Sequence, residues 1–343
     1  MPLAERIPGM TSSPEATRKV TRKDVARLAG VSDAVVSYTL NGGPPVAPAT
    51  AARVREAVRV LGYRPNASAR ALKLGSAQMI GMVVPDSSNP YFAVLSHAVE
   101  DAARDQGYAL LVAHANCDEA TIDQVLQQVR AFASRQVDGV LIACPVDESQ
   151  VADFDAAGVR WAMLNQPASV DGGVSIGVDL VGGARIGVQH LVDHGYRRIA
   201  FVGDSRSVDH RRQGWQSTLA DAGLELGPVF PSEYTREGGY AAGRALATMY
   251  DRPDAVFASS DMIATGVLRG LHEAGLDIPG DVAIVSFDGS PETEYSWPAM
   301  TAVRQPVQAM ATDAVSQLVS PMPAVEHHRF ECELLVRRSC GCA

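Results

Sequence analysis

Residues 21–42 read TRKDVARLAGVSDAVVSYTLNG, and this stretch decides how the first part of the chain folds. Thr21 is a good helix N-cap, and Asp24 three residues later has the spacing of a capping box. Gly30 supplies a break because glycine adopts a positive φ without steric cost. Ser32 then caps a second helix. The pattern predicts two short helices joined by a tight turn.

A third helix is predicted from Pro48 to Gly62, after a loop of glycine and proline at 42–45. The apolar residues expected to face inward are Val25, Ala26, Leu28, Ala29, Val35, Val36, Leu40, Val54, Val58 and Leu61. Such helices form either a small structural bundle or a helix-turn-helix domain. The latter places the exposed start of its second helix in the DNA major groove. Here that face carries Asp33, Ala34, Ser37, Tyr38 and Asn41.

Positive charge is concentrated in this first part of the chain. Residues 1–75 carry twelve basic and five acidic side chains, a net charge of +7, whereas the whole chain has a net charge of −9. A small basic head on a large acidic body favours contact with a polyanion through one end only. A basic surface without a partner is the alternative that charge alone leaves open.

Residues 64–78, RPNASARALKLGSAQ, follow the third helix. Only 66–73 have helix-forming character, and eight residues are too few for a stable isolated helix in water. Leu72 lies beside Arg70 and Lys73, and an apolar wedge flanked by cations suits insertion between base steps in the minor groove. An ordinary interdomain linker is the alternative that composition favours.

From residue 79 onward, short apolar runs alternate with helical patterns. Strands are predicted at 79–84, 108–113, 139–144, 160–164, 174–178, 199–202, 255–258 and 282–287. Helices are predicted at 91–105, 121–135, 211–222, 239–250 and 262–273. This alternation builds parallel sheets flanked by helices, and two such sets in sequence predict two similar lobes. Ligands bind at the carboxyl ends of such strands, so one site is expected in the cleft between the lobes.

Residues 20–75 resemble the DNA-binding head of the lac repressor family of bacterial transcriptional regulators. The matching positions are Val20, Thr21, Asp24, Val25, Ala26, Ala29, Gly30, Val31, Ser32, Val36, Ser37, Asn41, Thr50, Leu61, Gly62, Tyr63, Pro65, Asn66, Ala69 and Leu72. The resemblance continues to Arg338 as the periplasmic-sugar-binding-like core of the same family, through motifs that include Asn89-Pro90-Tyr91-Phe92, Ser260-Asp261, Phe287-Asp288 and Gln305-Pro306. The implied fold is an N-terminal all-α helix-turn-helix head and an α/β core of two doubly wound parallel-sheet lobes.

The resemblance also implies the DNA contacts. They are expected from Thr21, Arg22, Ser32, Asp33, Ala34, Ser37, Tyr38, Asn41, Thr50, Tyr63, Asn66, Arg70, Leu72 and Lys73. In the family, the position of Leu72 inserts into the central step of a palindromic operator, where the two hinge segments of a dimer pair. The positions of Asp33, Ala34 and Tyr38 read bases. This chain departs from better-known members there: Asp33 repels phosphate but can accept a hydrogen bond from cytosine N4, and Ala34 offers only a methyl contact. Specificity then depends more on Arg22, Ser37, Tyr38 and DNA shape.

The effector pocket that the resemblance implies uses Tyr91 and Phe92 from the first lobe and Arg211, Tyr234, Asp261 and Asp288 from the second. A guanidinium fork, two carboxylates and aromatic faces suit a small polar ring compound. A sugar is expected, with a nucleobase or nucleoside as the alternative. Two structural alternatives stay open: Asp261 caps the helix that follows it, and Phe92 belongs to the core.

The expected domains are a disordered extension at 1–18, the helix-turn-helix domain at 19–63, a hinge helix and linker at 64–77, the two-lobed effector-binding and dimerisation domain at 78–338, and a tail at 339–343. The tail has no heptad repeat, so a homodimer is expected rather than a tetramer. The partners are therefore palindromic double-stranded operator DNA, a small-molecule effector and a second copy of the chain.

Several classes of protein are disfavoured. No apolar run approaches the length of about 18 residues that crosses a bilayer, and residues 1–17 lack the apolar part of a secretory signal. Five cysteines are too few for a disulfide framework, so a cytoplasmic protein without membrane contact is expected. A solute-binding protein without DNA function is the first alternative, disfavoured by the absent export signal and the basic head.

An enzyme with a nucleotide-binding α/β core is the second alternative. It needs a glycine-rich phosphate loop or a poised acid/base pair, and neither is visible, so no catalysis and no cofactor are expected. His190 and His194 are four residues apart, but Leu191 breaks the zinc-protease pattern. His327-His328 and Cys340-x-Cys342 are weak motifs on their own, so no metal site is expected.

Overall fold

The computed structural model describes residues 20–41, 43–64, 71, 75–86, 88–115, 122–144, 151–166, 173–204, 209–321 and 327–342. The chain divides into two compact units, Met1–Gly75 and Ser76–Ala343. Within the described ranges, no helix combines the length and the apolarity that a bilayer crossing requires. The expected extension at 1–18 and the hinge residues Asn66, Arg70, Leu72 and Lys73 lie outside the described residues.

The first unit contains the helices α1 (Arg22–Ala29), α2 (Asp33–Asn41) and α3 (Pro48–Leu61). The backbone N–H of Thr21 donates to Asp24 Oδ2 at 3.0 Å, as a capping box requires. Gly30 has a φ of 64° and ends α1. The N–H of Val35 donates to Ser32 Oγ at 3.4 Å, so Ser32 caps α2. The predicted helix boundaries are confirmed.

A small core holds these three helices together. Its buried members are Val25, Ala26, Ala29, Val36, Val54 and Ala57, with Val31, Leu40, Val58, Leu61 and Tyr63 packed against them. The prediction that Leu28 and Val35 belong to this core is wrong. Leu28 is 53% exposed, and Val35 is only half-buried and lies outside the cluster. The reason is helical geometry, since each residue turns the side chain by about 100°. Leu28 therefore lies about 100° from the centre of the buried face formed by Val25, Ala26 and Ala29, and Val35 lies about 100° from Val36.

The second unit contains twelve strands among its described residues: β1 (Met79–Val84), β2 (Ala109–His114), β3 (Gly139–Ile142), β4 (Trp161–Leu164), β5 (Val174–Val178), β6 (Ile199–Gly203), β7 (Val229–Pro231), β8 (Ala255–Ala258), β9 (Ala283–Asp288), β10 (Thr301–Arg304), β11 (His327–Phe330) and β12 (Glu333–Leu335). They form two six-stranded sheets, ordered β11-β5-β4-β3-β1-β2 and β12-β10-β9-β8-β6-β7. All pairs are parallel except β10 with β12. The predicted pair of doubly wound lobes is confirmed.

Helices flank both sheets: α4 (Pro90–Asp105), α5 (Ile122–Ser134), α6 (Val151–Ala156), α7 (Leu180–Asp193), α8 (His210–Asp221), α9 (Arg236–Ala247), α10 (Asp261–Glu273), α11 (Glu292–Tyr295) and α12 (Val307–Val319). The five helices predicted in this unit are all present, with boundaries shifted by at most three residues. Gly266 lets α10 pack closely on α9, because a Cβ there would lie 2.0 Å from the Arg236 carbonyl oxygen.

The lobes are not contiguous in sequence, which corrects the expectation of two successive sets. The chain passes from the first sheet to the second between β5 and α7. It returns between β10 and α12, and α12 packs against α4 and the first sheet. It crosses again between β11, which pairs with β5, and β12, which pairs with β10. Three crossings therefore connect the lobes.

Register places polar residues at the carboxyl ends of the second sheet. In β9 and β10, Val303 pairs with Phe287 and Arg304 pairs with Asp288, the last residue of its strand. The neighbouring strand β8 ends just before Ser259, and β6 ends at Gly203. The edge at which these strands end is where a ligand site is expected in an open α/β sheet.

Candidate functional site

The start of α2 presents the expected DNA-reading face. Ala34 is exposed, Tyr38 is 42% exposed and Ser37 is half-buried. The ring of Tyr38 lies against Gly43, where a Cβ would come within 2.7 Å of Tyr38 Cδ1. Glycine at this position therefore leaves room for the ring. The side chain of Asn41 lies outside the described residues.

Arg22 and Asp33 form one unit rather than two independent contacts. Arg22 Nε donates to Asp33 Oδ1 at 2.7 Å, and a second guanidinium N–H bonds Asp33 Oδ2. The hydrogen bond from Arg22 lowers the pKa of Asp33 below its ordinary value. Both carboxylate oxygens are thus occupied in the free protein. Asp33 reaches a base only if Arg22 releases it, a coupling that the sequence did not reveal.

The other expected DNA contacts occupy varied positions. Thr50 lies in the first turn of α3, where its N–H donates to the Ala47 carbonyl oxygen at 2.9 Å. Tyr63 is half-buried and packs against the small core, so it has a structural role. Thr21 and Ser32 are exposed at the starts of α1 and α2. These contacts with DNA stay predictions.

In the second unit, a chain of polar contacts begins at Tyr91, in the first turn of α4. Its buried hydroxyl lies 2.8 Å from Asn165 Oδ1, just after β4, and 3.0 Å from Gln305 Oε1. Gln305 lies in the crossing between β10 and α12, and its Nε2 donates to Asp288 Oδ1 at 2.9 Å. The first lobe is thereby connected to Asp288 on the second lobe.

Arg211, in the first turn of α8, continues this chain. Its Nη2 lies 3.6 Å from Asp288 Oδ1, and its Nη1 donates to the Tyr234 hydroxyl at 3.4 Å. The guanidinium stacks over the ring of Phe287 at 4.6 Å. Burial acts to lower the pKa of Arg211, but Tyr234, Asp288 and Asp209 raise it above its ordinary value. A cation is therefore fixed at the carboxyl edge of the second sheet.

Asp288 itself has a strained backbone, with a φ of 109°. Residues in such conformations concentrate at functional sites, where the surrounding structure holds them. Burial raises the pKa of Asp288 to about 6, against the opposing effect of Arg211. The carboxylate is thus destabilised by desolvation and stabilised by one cation, so its protonation state responds to what occupies the cleft.

Asp261 begins α10 and is buried near Asp288. Its two oxygens accept hydrogen bonds from the Ser286 hydroxyl and the Ser290 backbone N–H, both at 2.6 Å. Burial, and next the charge of Asp288, raises the pKa of Asp261 to about 7. The helix cap is Ser260, whose hydroxyl accepts from the N–H of Ile263 at 3.3 Å. Asp261 therefore holds the loop after β9, and its contact with an effector stays a prediction.

The structure brings together most of the expected effector residues. Tyr91, Arg211, Tyr234 and Asp288 belong to one chain of contacts, and Phe92 packs edge-on against Tyr91 at 5.2 Å between ring centroids. Phe92 also packs against the main hydrophobic core, so its structural alternative has support. Sequence reasoning missed the roles of Gln305, Asn165 and Ser286. Only Gln305 had a signal, as part of the Gln305-Pro306 motif.

Two stretches of the chain match known families. Residues 21–66 match "Bacterial regulatory proteins, lacI family", and residues 188–340 match "Periplasmic binding protein-like domain". The chain is also 30% identical over 325 residues to the ribose operon repressor of Escherichia coli strain K12, covering 91% of this chain and 96% of that protein. The chain belongs to the lacI family of bacterial regulatory proteins.

Two further proteins are similar to this chain over most of its length. The HTH-type transcriptional repressor PurR of Mannheimia succiniciproducens is 30% identical over 331 residues, covering 93% of this chain and 98% of that protein. A structure described as a transcriptional regulator CelR–cellobiose complex is 29% identical, covers 93% of this chain and 99% of that chain, and superimposes with a TM-score of 0.68. The resemblance found in the sequence is confirmed. This chain is a DNA-binding transcriptional regulator with an effector-binding core, and the alternative of a solute-binding protein without DNA function is wrong.

Proposed function

We propose that the chain is a repressor that binds palindromic operator DNA as a homodimer and is controlled by a sugar bound between its two lobes. The observation that carries this proposal is the buried pair of Arg211 and Asp288, joined through Gln305 to Tyr91 of the first lobe. A ligand that contacts these groups touches both lobes at once. The proposal places the protein in the cytoplasm, together with chromosomal DNA.

The polar inventory of the site supports a sugar. Among the described residues, Arg211 Nε and Asp209 Oδ2 are buried without a hydrogen-bond partner, one a donor and the other an acceptor. A sugar hydroxyl both donates and accepts, so neighbouring hydroxyls on one ring can satisfy both kinds of group. The names of two relatives refer to ribose and cellobiose, which is consistent with this class. A nucleobase or nucleoside is the second candidate, favoured by the aromatic ring of Phe92.

Binding of a defined panel to the full-length protein tests the effector class. The panel contains ribose, glucose, cellobiose, adenine, guanine and adenosine, and the readouts are thermal shift and calorimetry. A sugar at about 100 times its dissociation constant should stabilise the fold by about 2.7 kcal/mol. A response to purines alone would replace the sugar by the second candidate.

Variants then locate the effector. Arg211→Gln and Tyr234→Phe should weaken binding of the effector, whereas Arg185→Gln, an exposed arginine paired with Asp221, should not. Tyr234→Phe keeps the ring and all packing, so a loss of affinity there is not a failure to fold. An effector that binds all three variants as tightly as the wild-type protein would contradict the proposed cleft.

The hinge is tested through the DNA. Leu72→Ala should weaken binding to a palindromic operator while leaving effector affinity nearly unchanged, with the exposed Leu226→Ala as a matched control. Operator affinity should also fall steeply with salt, because phosphate contacts release counterions. Equal loss of DNA and effector binding in Leu72→Ala would contradict the separation of roles, and a flat salt response would argue against the basic head as the DNA contact.

A further inference from the structure

A cluster of nitrogen and sulfur atoms lies in the second lobe, where α7 ends. His190 Nε2, Cys340 Sγ and Cys342 Sγ all lie within 4.8 Å of one another. His190 Nε2 is 3.2 Å from Cys340 Sγ and 3.8 Å from Cys342 Sγ. His194 Nε2 is 3.0 Å from Cys342 Sγ. One imidazole and two thiols, from positions about 150 residues apart in sequence, therefore converge, and His194 joins this cluster through its contact with Cys342 alone.

The end of α7 orients the two histidines. They are four residues apart, so they share one face of the helix, and their ring centroids are 4.2 Å apart. His194 Nδ1 lies 2.9 Å from the His190 carbonyl oxygen. An N–H at Nδ1 donates to that oxygen and leaves the lone pair on Nε2, which points toward Cys342. A hydrogen bond of this kind fixes the tautomer of metal-binding histidines.

The segment after β12 fixes the two cysteines. The hydroxyl of Ser339 donates to the Ile284 carbonyl oxygen at 2.6 Å, which anchors the segment to β9. Gly341 has a φ of 95°, which turns the chain between the cysteines. Cys340 is fully buried, and its sulfur accepts a hydrogen bond from the Thr301 hydroxyl at 3.0 Å. The same sulfur lies 3.3 Å from the Arg337 carbonyl oxygen, to which an S–H donates, so metal binding replaces that proton.

We propose that His190, His194, Cys340 and Cys342 bind one zinc ion. Two imidazoles and two thiolates form a closed tetrahedral set that is typical of structural zinc sites. With Zn–S about 2.3 Å and Zn–N about 2.0 Å, tetrahedral angles place nitrogen and sulfur about 3.5 Å apart. The measured separations of 3.0, 3.2 and 3.8 Å bracket that value. Magnesium and calcium are disfavoured because they take oxygen ligands.

The position of the site indicates what the ion does. It joins the last turn of α7 to the segment after β12. The ion would therefore cross-link two segments of the second lobe that are distant in sequence. Cys342 also lines an open surface depression with Arg338 and Gly341, which gives the ion a path from solvent. All four protein ligands leave no open position for a substrate, so the role is structural rather than catalytic.

The site is tested on the full-length protein kept reduced. Endogenous metal is removed with a chelator, and zinc is then returned and counted by elemental analysis. Cobalt serves as a spectroscopic substitute, because a tetrahedral site with thiolates gives intense visible bands and a thiolate-to-cobalt charge-transfer band. We expect one zinc per chain, a cobalt spectrum of this kind, and a higher melting temperature with zinc than without it.

Three variants locate the metal. Cys342→Ser and His194→Ala should each weaken metal binding by at least about 100-fold, since even changes outside the ligand set cost 10–100-fold. His97→Ala, an exposed histidine on α4, should bind zinc like the wild-type protein. Both ligand variants change partly exposed side chains, so their folds are expected to persist and are checked by circular dichroism.

Three results would overturn the proposal. The first is no zinc above background in the reduced wild-type protein. The second is full zinc binding in both Cys342→Ser and His194→Ala, which would place the metal elsewhere. The third is a disulfide between Cys340 and Cys342 that forms in place of metal binding and persists under reducing conditions. The zinc proposal does not depend on the effector class. The outcome of the zinc experiments therefore says nothing about the effector, and the effector panel says nothing about zinc.

Discussion

Replacing Asp261 by asparagine tests how the second lobe holds two buried carboxyl groups beside one cation. Asp261 and Asp288 are 5% and 6% exposed. Burial and the charge of Asp288 raise the pKa of Asp261 to about 7, and burial raises the pKa of Asp288 to about 6. The folded protein therefore retains protons that an unfolded chain, with carboxyl pKa values near 3.9, has released. This contribution to stability is complete below about pH 4 and is lost as the pH rises toward 7.

The magnitude follows from the same values. A pKa raised from about 3.9 to about 7 corresponds to about 4 kcal/mol, at about 1.4 kcal/mol per pH unit. Asparagine keeps the shape of the side chain: its carbonyl oxygen accepts from the Ser290 N–H, and its amide donates to the Ser286 hydroxyl. The Asp261→Asn variant should therefore be more stable than the wild-type protein at pH 8 by about 2–4 kcal/mol, with a smaller difference at pH 5.

Urea unfolding at pH 5, 6.5 and 8, followed by tryptophan fluorescence, measures this difference, because Trp215 is fully buried in the same unit. Asp221→Asn is the matched control, since it removes an exposed carboxylate paired with Arg185. Its stability should follow the wild-type protein within about 1 kcal/mol at each pH. If Asp261→Asn and the wild-type protein change in parallel from pH 5 to pH 8, the assignment of raised pKa values is refuted.

Three further changes have defined outcomes. Tyr91→Phe leaves the buried oxygen of Gln305 without its partner, so the free energy of unfolding should fall by about 1–3 kcal/mol, which thermal unfolding measures; an unchanged stability would deny the contact. Asp33→Asn frees Arg22 to contact a phosphate. Operator affinity, measured by fluorescence anisotropy, should therefore rise, and its salt dependence should steepen by up to about one counterion. If the variant instead loses discrimination at one base pair of the operator, Asp33 reads that base. Gly266→Ala should destabilise the core by about 1–3 kcal/mol or more through overpacking of α9 against α10, with no such loss expected from an alanine substitution on an exposed helix face.

The strands that the sequence predicted well are those buried between helices. The bounds of β1, β5 and β8 agree with prediction, because a strand covered on both faces reads as a continuous apolar run. Four short strands were missed, β7, β10, β11 and β12. In β11 and β12, HHRF and the ELL of residues 333–335 have no such run. Their places are set by pairing with β5 and β10, distant segments that local patterns do not identify.

In the candidate cleft, too, some residues could be predicted from the sequence and others only from tertiary packing. The family resemblance pointed to Arg211 and Asp288, and their chemistry agrees with it, because a guanidinium and a carboxylate bind polar rings. The link between them and Tyr91 is made by Gln305, which lies in a crossing segment. The role of Gln305 is visible only in the folded chain, where its segment meets those of Tyr91 and Asp288. The histidines and cysteines near the end of α7 were visible as two weak motifs, and only tertiary packing brings them together.

The contact between Tyr91 and Gln305 suggests how effector binding is coupled to the arrangement of the lobes. A ligand shifts an equilibrium between arrangements only by binding one of them more tightly. Gln305 lies in a crossing between lobes and bonds Tyr91 on one side and Asp288 on the other. A ligand hydroxyl that replaces the bond of Gln305 to Tyr91 or to Asp288 breaks a contact between the lobes. The affinity of the ligand must therefore differ between arrangements of the lobes that keep this contact and arrangements that lack it.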